Sequence, residues 1–401
     1  MRMERWIPSL GLIAMLALAW LFSENRRRMN WRLILSGLSL QILLAVVLLR
    51  TALGHVAFLA ARAIIERLQS FVDQGSSFVF GPEWEHHQVA FKVLPVIIFV
   101  SSLTTVLFHL GILQWLVRIM ARLMVWVMDV SGSESLAASA NIYVGMTEAP
   151  LVIRPYLETM TRSELMAMMT AGMATIAGTV MAAYVTMGVD AGHIMTASLI
   201  SAPAALVIAK IMVPETEISP TKGVVTIDVE RRDANILDAA CRGASDGMKL
   251  AINVAAMLIA FIALVAMANW LLNIAGKPGG EPLTLERILS WIFRPLAWLM
   301  GVPWKDAGTI GTLLGTRLVL NEFIAYQQLV AVRQTISPRS FTIGTYALCG
   351  FANLGSIGVM IGGIGGLVPS RRRELAQLGL RSMIAGTLAC YMTACIAAIL
   401  V

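Results

Sequence analysis

From Ile7 to Leu400 the chain is a succession of apolar stretches about 17–25 residues long, the length a helix needs to cross a bilayer. Inside lipid only helices or closed barrels satisfy their backbone groups, and the alternating pattern of a membrane barrel is absent. A hydrophobic content of 57%, a charged content of 14% and a mean hydropathy of +0.75 agree with a chain that lies mostly in lipid. The expected class is an all-α polytopic membrane protein.

The net charge of +7 could speak for nucleic acid. Its Arg residues, however, cluster between apolar spans, at 26–32, 118–122 and 371–373, as cytoplasmic loops do. No nucleic-acid partner is expected. Met1–Ser23 has the outline of a signal peptide, with Arg2 and Arg5 ahead of an apolar run, but no small-residue cleavage site follows and Ile7–Phe22 reads as an uncleaved first span. Further spans are expected at Leu33–Leu49, Val89–Leu116, Leu165–Met187, Ala191–Val213, Met248–Leu272, Phe341–Val368 and Met383–Leu400. Thr51–Asp73 mixes charged and apolar residues at helical spacing, so it reads as an amphipathic helix in the membrane interface, and Leu285–Met300 as a second interfacial element. Gly75–His87 reads as a polar loop, Pro214–Asn235 as a long cytoplasmic linker and Gly276–Pro282 as an outer turn. Cys241, Cys349, Cys390 and Cys395 have no metal-ligand spacing, and the last three read as small buried hydrophobes.

Two acidic residues interrupt otherwise apolar or small-residue stretches: Glu148 in NIYVGMTEAPLVIRPY and Glu322 in GTRLVLNEFIAY. A carboxylate within a membrane segment is costly and is a functional-site hypothesis by default. Ser135–Val144 and Ala149–Leu157 are each too short to cross a bilayer and flank Gly145-Met146-Thr147-Glu148, which predicts a re-entrant hairpin. Trp304–Val332 repeats the pattern, with Asn321-Glu322 near its tip. Each hairpin precedes a span interrupted by Gly, Thr, Asn or Ser, and then a plain span. With the Arg clusters on one side, the two units enter from opposite faces, an inverted repeat of the kind secondary transporters use.

The centre of such an arrangement offers Thr147, Glu148, Glu322, Asn353 and Ser356. Two carboxylates with neutral donors and acceptors suit an uncharged polyhydroxylated ligand. Apart from Arg317, no cation stands in this set to clamp a phosphate or carboxylate. An intramembrane enzyme with Glu148 and Glu322 as acid and base is the alternative from another class, but no H-E-x-x-H or G-x-S-x-G accompanies them. ATP coupling has no G-x-x-x-x-G-K-[ST] to rest on, and two closed hairpins fit alternating access better than a passive channel. Asp306 reads as a helix N-cap, and Asn141 as either a cap or a cation ligand.

NIYVGMTEAPLVIRPY, GMATIAGTV, GTRLVLNEFIAY and TYALCGFANLGSIGVMIGGIGG, in this order, closely resemble the concentrative nucleoside transporter family, over nearly the whole chain. The resemblance implies a homotrimer of protomers with about eight spans, an interfacial helix and two re-entrant hairpins, working as an elevator-type cation–nucleoside symporter in the bacterial inner membrane. It places Met146, Thr147, Glu148 and Val180 on the nucleobase, Glu322, Asn353 and Ser356 on the ribose, and Phe351 along the pocket. It places sodium on the Asn141 and Thr175 side chains and on the carbonyls of Val144, Thr175 and Ile176. No cofactor is implied beyond the coupling ion. By the same resemblance 1–116 and 237–303 form the scaffold, 214–236 the linker, and 117–213 with 304–401 the units that hold the site.

Two residues depart from the family's pattern. Met146 stands where most members have Gln, and a thioether barely accepts a hydrogen bond, which opens base selectivity to a modified nucleoside or a nucleobase. Thr175 stands where sodium-coupled members have Ser and keeps the hydroxyl. Proton-coupled relatives lack the Asn that this chain keeps at Asn141, so sodium is the expected coupling ion and a proton the alternative.

Overall fold

The computed structural model describes residues 6–81, 84, 88–223, 233–275 and 282–401. Arg2 and Arg5, part of the expected 75–87 loop, most of the 276–282 turn and the middle of the 214–235 linker lie outside the described residues. The architecture is helical: α1 (Ile7–Leu21), α2 (Trp31–Arg50), α3 (Ala52–Phe80), α4 (Leu94–His109), α5 (Ile112–Met128), α6 (Gly132–Asn141), α7 (Ala149–Val152), α8 (Arg162–Ala174), α9 (Gly178–Met187), α10 (Ala191–Met212), α11 (Ile236–Ala275), α12 (Leu285–Leu299), α13 (Trp304–Val319), α14 (Glu322–Ala331), α15 (Pro338–Leu348), α16 (Leu354–Leu367) and α17 (Arg372–Leu400). Among the described residues six helical stretches are long and apolar enough to span a membrane, and Ile7–Leu21 and Leu354–Leu367 are shorter apolar helices.

The core is built from α8, α10 and α17, whose membrane-length windows are largely buried inside the protein. Small residues let these helices approach closely, as membrane packing requires: a Cβ on Gly386 of α17 would lie 2.5 Å from the Met173 Cβ of α8. Around this core α1 and α2 pack on α17 and α10, while α11 lies along α4. The α4–α11 contact has the same origin. Gly243 and Gly247, one turn apart, face Ser102 and Ile98 so tightly that an added Cβ would come within 3 Å of backbone. The opposite flank of α11 stays apolar and exposed, with Ile252, Ile259, Trp270 and Ile274.

Several boundaries differ from expectation. The Val89–Leu116 span is two elements. A π-helical turn (Gln88–Val93) leads into α4, the chain turns at Leu110-Gly111, and α5 follows. Gly111 has φ 83°, the left-handed region that glycine tolerates. α5 buries Leu113, Val117, Ala121, Met124 and Met128 along one face and exposes Trp115, Ile119, Arg122 and Trp126 along the other. The arm expected at Ala149–Leu157 is only the single turn α7 and a 3-10 turn, Arg154–Tyr156. Pro150 and Pro155 deny it a continuous hydrogen-bond ladder. α3 runs on through Gly75 to Phe80 instead of ending at Asp73, and α11 starts twelve residues before Met248. Arg372 and Arg373 stand in the first turn of α17 and not in a loop.

Both expected breaks exist. Thr175-Ile176-Ala177 separate α8 from α9, and Thr175 and Ala177 are extended. The break before α16 lies at Cys349–Asn353, earlier than the 353–356 expected, since Asn353 is already the cap of α16. The second unwound stretch touches the end of α8: Gly350, at φ +139°, approaches Met173 O so closely that a Cβ would sit 2.7 Å from it. α15 ends at a set of carbonyls that three other elements satisfy, as buried helix ends require. Tyr326 Oη of α14 donates to Thr345 O (2.7 Å), Arg317 Nη1 of α13 to Ala347 O (2.5 Å) and Cys390 Sγ of α17 to Cys349 O (2.7 Å). Cys349, Cys390 and Cys395 are buried and free.

The first unit is anchored by two capping boxes. Ser131 and Glu134 cap α6, and Thr161 and Glu164 cap α8. Glu134 is also paired with Lys210 at the end of α10 (2.7 Å). The described start of the linker, up to Gly223, joins in. Thr221 O accepts from Gly132 N (2.9 Å), and Ser219 Oγ donates to Glu164 Oε1 (2.5 Å). Asp306 lies within the first turn of α13, but its carboxylate accepts from Ser337 N (3.0 Å) and Ser340 Oγ (2.6 Å). It secures the start of α15 and does not cap its own helix.

Candidate functional site

Glu322, at the first position of α14, is buried, with 6% of its surface exposed. Asn321 caps the helix by accepting from Ile324 N (2.9 Å), which turns the chain at the tip and points Glu322 inward. Its Oε1 accepts from Tyr184 Oη (3.0 Å) and its Oε2 from Asn353 Nδ2 (3.0 Å). Asn353 in turn caps α16, Oδ1 accepting from Ser356 N (2.8 Å). Glu322, Asn353 and Ser356 are thus brought together. Tyr184 was not singled out by sequence. It is wholly buried and packs on Tyr326 (ring centroids 4.5 Å apart) and Phe323 (5.9 Å). The signal was its place one helical turn beyond Val180, on the same face of α9.

The first tip, residues 142–148, meets the start of α9, where Gly178 N donates to Tyr143 O (3.1 Å). It also meets α16: Thr147 Cγ2 lies 3.3 Å from where a Cβ on Gly363 would stand. Met146 Cβ, the Met360 methyl and Asn141 Oδ1 converge on Gly172, at 3.0, 3.1 and 3.4 Å from its absent Cβ. Met360 is buried and Met146 half-buried. Val180 is buried and Phe351 half-buried. Thr147 and Glu148 are exposed, and the Glu148 carboxylate accepts from Gly145 N (3.4 Å). Glu148 and Glu322 share no partner among the described residues. Glu322 is held by the second unit and α9.

One helix joins the two tips. Asn353 and Ser356 open α16 at Glu322, while Met360 and Gly363, further along it, meet the first tip. Seven to ten residues at a rise of about 1.5 Å put these ends roughly 10–15 Å apart.

Asn141 ends α6. Its Nδ2 donates to Ala137 O (2.9 Å), and its Oδ1 is buried with no hydrogen-bond partner. Thr175 Oγ1 donates to Ala171 O (2.8 Å), which leaves its lone pairs free. Thr175 and Ile176 lie in the break between α8 and α9, and Val144 is buried just beyond α6. The donor set is oxygen throughout, which fits a hard monovalent cation. Among the described residues no group of His, Cys, Asp and Glu could hold a metal ion.

A polar centre enclosed by two interrupted helices and two turns, inside a bundle with apolar outer flanks, defines a polytopic helical membrane protein with an internal polar site. The chain belongs to the Na+-dependent nucleoside transporter family: the sequence profile described as Na+ dependent nucleoside transporter C-terminus matches residues 193–398, its N-terminal companion 10–83, and one described as nucleoside recognition 90–191. Solute carrier family 28 member 3 of Mus musculus is 44% identical over 407 residues, covering 97% of this chain and 58% of that protein. This chain therefore spans less than three fifths of that relative's length. YutK of Bacillus subtilis, described as an uncharacterized transporter, is 42% identical over 393 residues, 97% of both chains. The fold matches CNTnw in an inward-facing substrate-bound state with a TM-score of 0.92 at 38% identity, over 99% of this chain and 98% of that one. It matches a doubly substituted CNTnw in an outward-facing state with a TM-score of 0.94 at 39% identity, over 100% and 99%. These relatives are transporters, not enzymes.

Proposed function

We propose that this protein is a sodium-coupled symporter that imports nucleosides across the bacterial inner membrane. The observation that carries the reading is α16, which joins the Glu322–Asn353 pair at one end to the first tip at the other across roughly 10–15 Å. A nucleoside is on the order of 10 Å long, within the size of a small-molecule pocket. Its ribose hydroxyls fit Glu322, Asn353 and Ser356, where a carboxylate and an amide can accept and donate together. Its base fits the other end, against Met146, Thr147, Val180 and Phe351, with Glu148 on the open side. Sodium fits Asn141 Oδ1 and Thr175, with carbonyls of Val144, Thr175 and Ile176 completing the shell. The orphaned Asn141 oxygen supports sodium over a proton, since a buried acceptor without a partner is costly unless a ligand satisfies it.

In this reading the hairpins are re-entrant, the units of 117–213 and 304–401 move as an elevator against a frame that includes α4 and α11, and the exposed flank of α11 faces lipid or neighbouring protomers of a trimer. The test is uptake into proteoliposomes of labelled nucleosides and nucleobases, each under a sodium or a proton gradient. Sodium-driven accumulation of intact nucleoside supports the reading. Accumulation driven by pH alone removes sodium from it, and recovery of a free base and ribose removes transport.

A further inference from the structure

A cleft of about 560 Å³ lies where the second arm of the first unit meets the chain between α16 and α17. Two short 3-10 turns form its walls, Arg154–Tyr156 and Pro369–Arg371, each with a proline in its first positions that fixes the backbone. Arg371 joins the walls. Its Nη1 donates to Glu158 O (2.9 Å) and Met160 O (2.8 Å), and its Nε to Glu374 (2.8 Å). The cleft is therefore pre-formed, and its volume falls within the roughly 300–1,000 Å³ of small-molecule sites. Leu367, which lines it, follows Gly363 by four residues on the same face of α16, and Gly363 faces Thr147 of the first tip. The cleft thus lies about one helical turn beyond that tip, toward the Arg371–Arg373 cluster that marks the cytoplasmic side.

Its polar groups differ from those around Glu322, whose partners Tyr184 and Asn353 carry no charge. Arg154 lines the cleft, and its side chain has no hydrogen-bond or ion-pair partner among the described residues, Glu158 included. A guanidinium free to present two parallel N–H groups suits a phosphate. Glu158 Oε1 accepts only a long bond from Ser370 Oγ (3.4 Å) on the opposite wall. A carboxylate and a hydroxyl are thus available together, the acceptors and donor that ribose hydroxyls take. Pro155, Pro369 and Leu367 add apolar surface for a base. We propose that this cleft binds a nucleoside 5′-monophosphate from the inner side: phosphate on Arg154, ribose on Glu158 and Ser370. The bound nucleotide bridges the second arm and the end of α16 and holds the first tip in place, so that the phosphorylated form of a nucleoside restrains further entry. The proposal rests on the nucleoside transport inferred above.

The test compares uridine, uridine 5′-monophosphate (UMP) and inorganic phosphate as ligands of the purified protein, read by melting temperature, which rises when a ligand binds the folded state. The two uridine compounds should answer to different residues. Glu322→Gln should abolish the uridine shift and keep the UMP shift. Arg154→Gln should weaken UMP about tenfold or more, the worth of a charge-assisted bond, and keep the uridine shift. Glu158→Gln and Ser370→Ala should each weaken UMP severalfold. UMP sealed inside proteoliposomes should slow uridine uptake by wild type and not by Arg154→Gln. The proposal is overturned if UMP leaves wild type unmoved, if its shift survives Arg154→Gln or disappears in Glu322→Gln, or if inorganic phosphate matches it at equal concentration. A UMP response present in phosphatidylcholine nanodiscs and lost in phosphatidylglycerol assigns the cleft to lipid headgroups and also overturns it. Should Arg154→Gln fail to fold, Glu158→Gln and Ser370→Ala carry the test, and wild-type UMP affinity in both sinks the idea. Wild type that answers UMP but not uridine is a distinct outcome: the cleft stands, and the nucleoside-transport reading beneath it falls.

Discussion

Asn353 holds Glu322 with one end of its amide and α16 with the other. Nδ2 donates to the carboxylate at 3.0 Å while Oδ1 accepts from Ser356 N at 2.8 Å. The side chain that starts the helix also orients the acid, so a ligand that competes for Glu322 also acts on the N-terminus of α16.

Glu322→Gln should reduce nucleoside uptake by tenfold or more at equal abundance in the membrane. A hydrogen bond to a charged group is worth about 1.5–3 kcal/mol, and the amide keeps the shape while losing the charge. The measurement is initial uptake rate normalised to purified protein. A rate equal to wild type would take Glu322 out of the site.

Tyr184→Phe removes the other donor to that carboxylate and leaves the packing on Phe323 and Tyr326 in place. The KM for nucleosides should change severalfold with little loss of melting temperature. A large loss of stability with unchanged KM would mean that Tyr184 serves the fold alone.

Thr175→Val keeps the branched shape and deletes the hydroxyl at the break after α8. The sodium concentration for half-maximal uptake should rise, while the KM for nucleoside at saturating sodium moves little. Uptake that follows pH and ignores sodium would replace the ion.

Met146→Gln restores a hydrogen-bonding amide where Met146 Cβ packs over Gly172. A neutral hydrogen bond is worth about 0.5–1.5 kcal/mol, a roughly two- to twelvefold change in affinity. In competition assays uridine or cytidine should gain most. An unchanged rank order of nucleosides would mean that Met146 does not touch the base.

Lys210→Met strands the buried Glu134 carboxylate beneath α6. Removing one partner of a buried pair costs about 3–5 kcal/mol, whereas replacing both with neutral groups is often tolerated. The melting temperature should fall sharply in the single variant and recover in Glu134→Gln/Lys210→Met. No recovery would show that Lys210 acts through another contact.

The paired units were legible because breaks in a lipid-facing sequence need Gly, Asn, Pro or Thr, and these stand at Gly145, Thr175, Asn321 and Asn353. Glu322, Asn353 and Ser356 could be grouped from their motifs. The turn at Leu110-Gly111 was not legible, because apolar residues flank it on both sides and hydropathy runs straight through. Nor was the role of Tyr184: a phenol on an apolar half-helix looks like core until the carboxylate it faces, 138 residues away, is placed. The Glu164 box escaped notice because its partners Ser219 and Thr221 belong to a polar stretch that reads as a linker.

That stretch matters for anyone who would cut the protein in two. Thr221 gives its carbonyl to the first amide of α6, and Ser219 gives its hydroxyl to Glu164. The residues just after α10 are therefore a belt buckled onto the first half. Co-expressed fragments divided near Pro214 would leave the buckle on the wrong piece, and the first half would lose the clasp at the base of its hairpin. Fragments divided after Gly223 keep belt and buckle together.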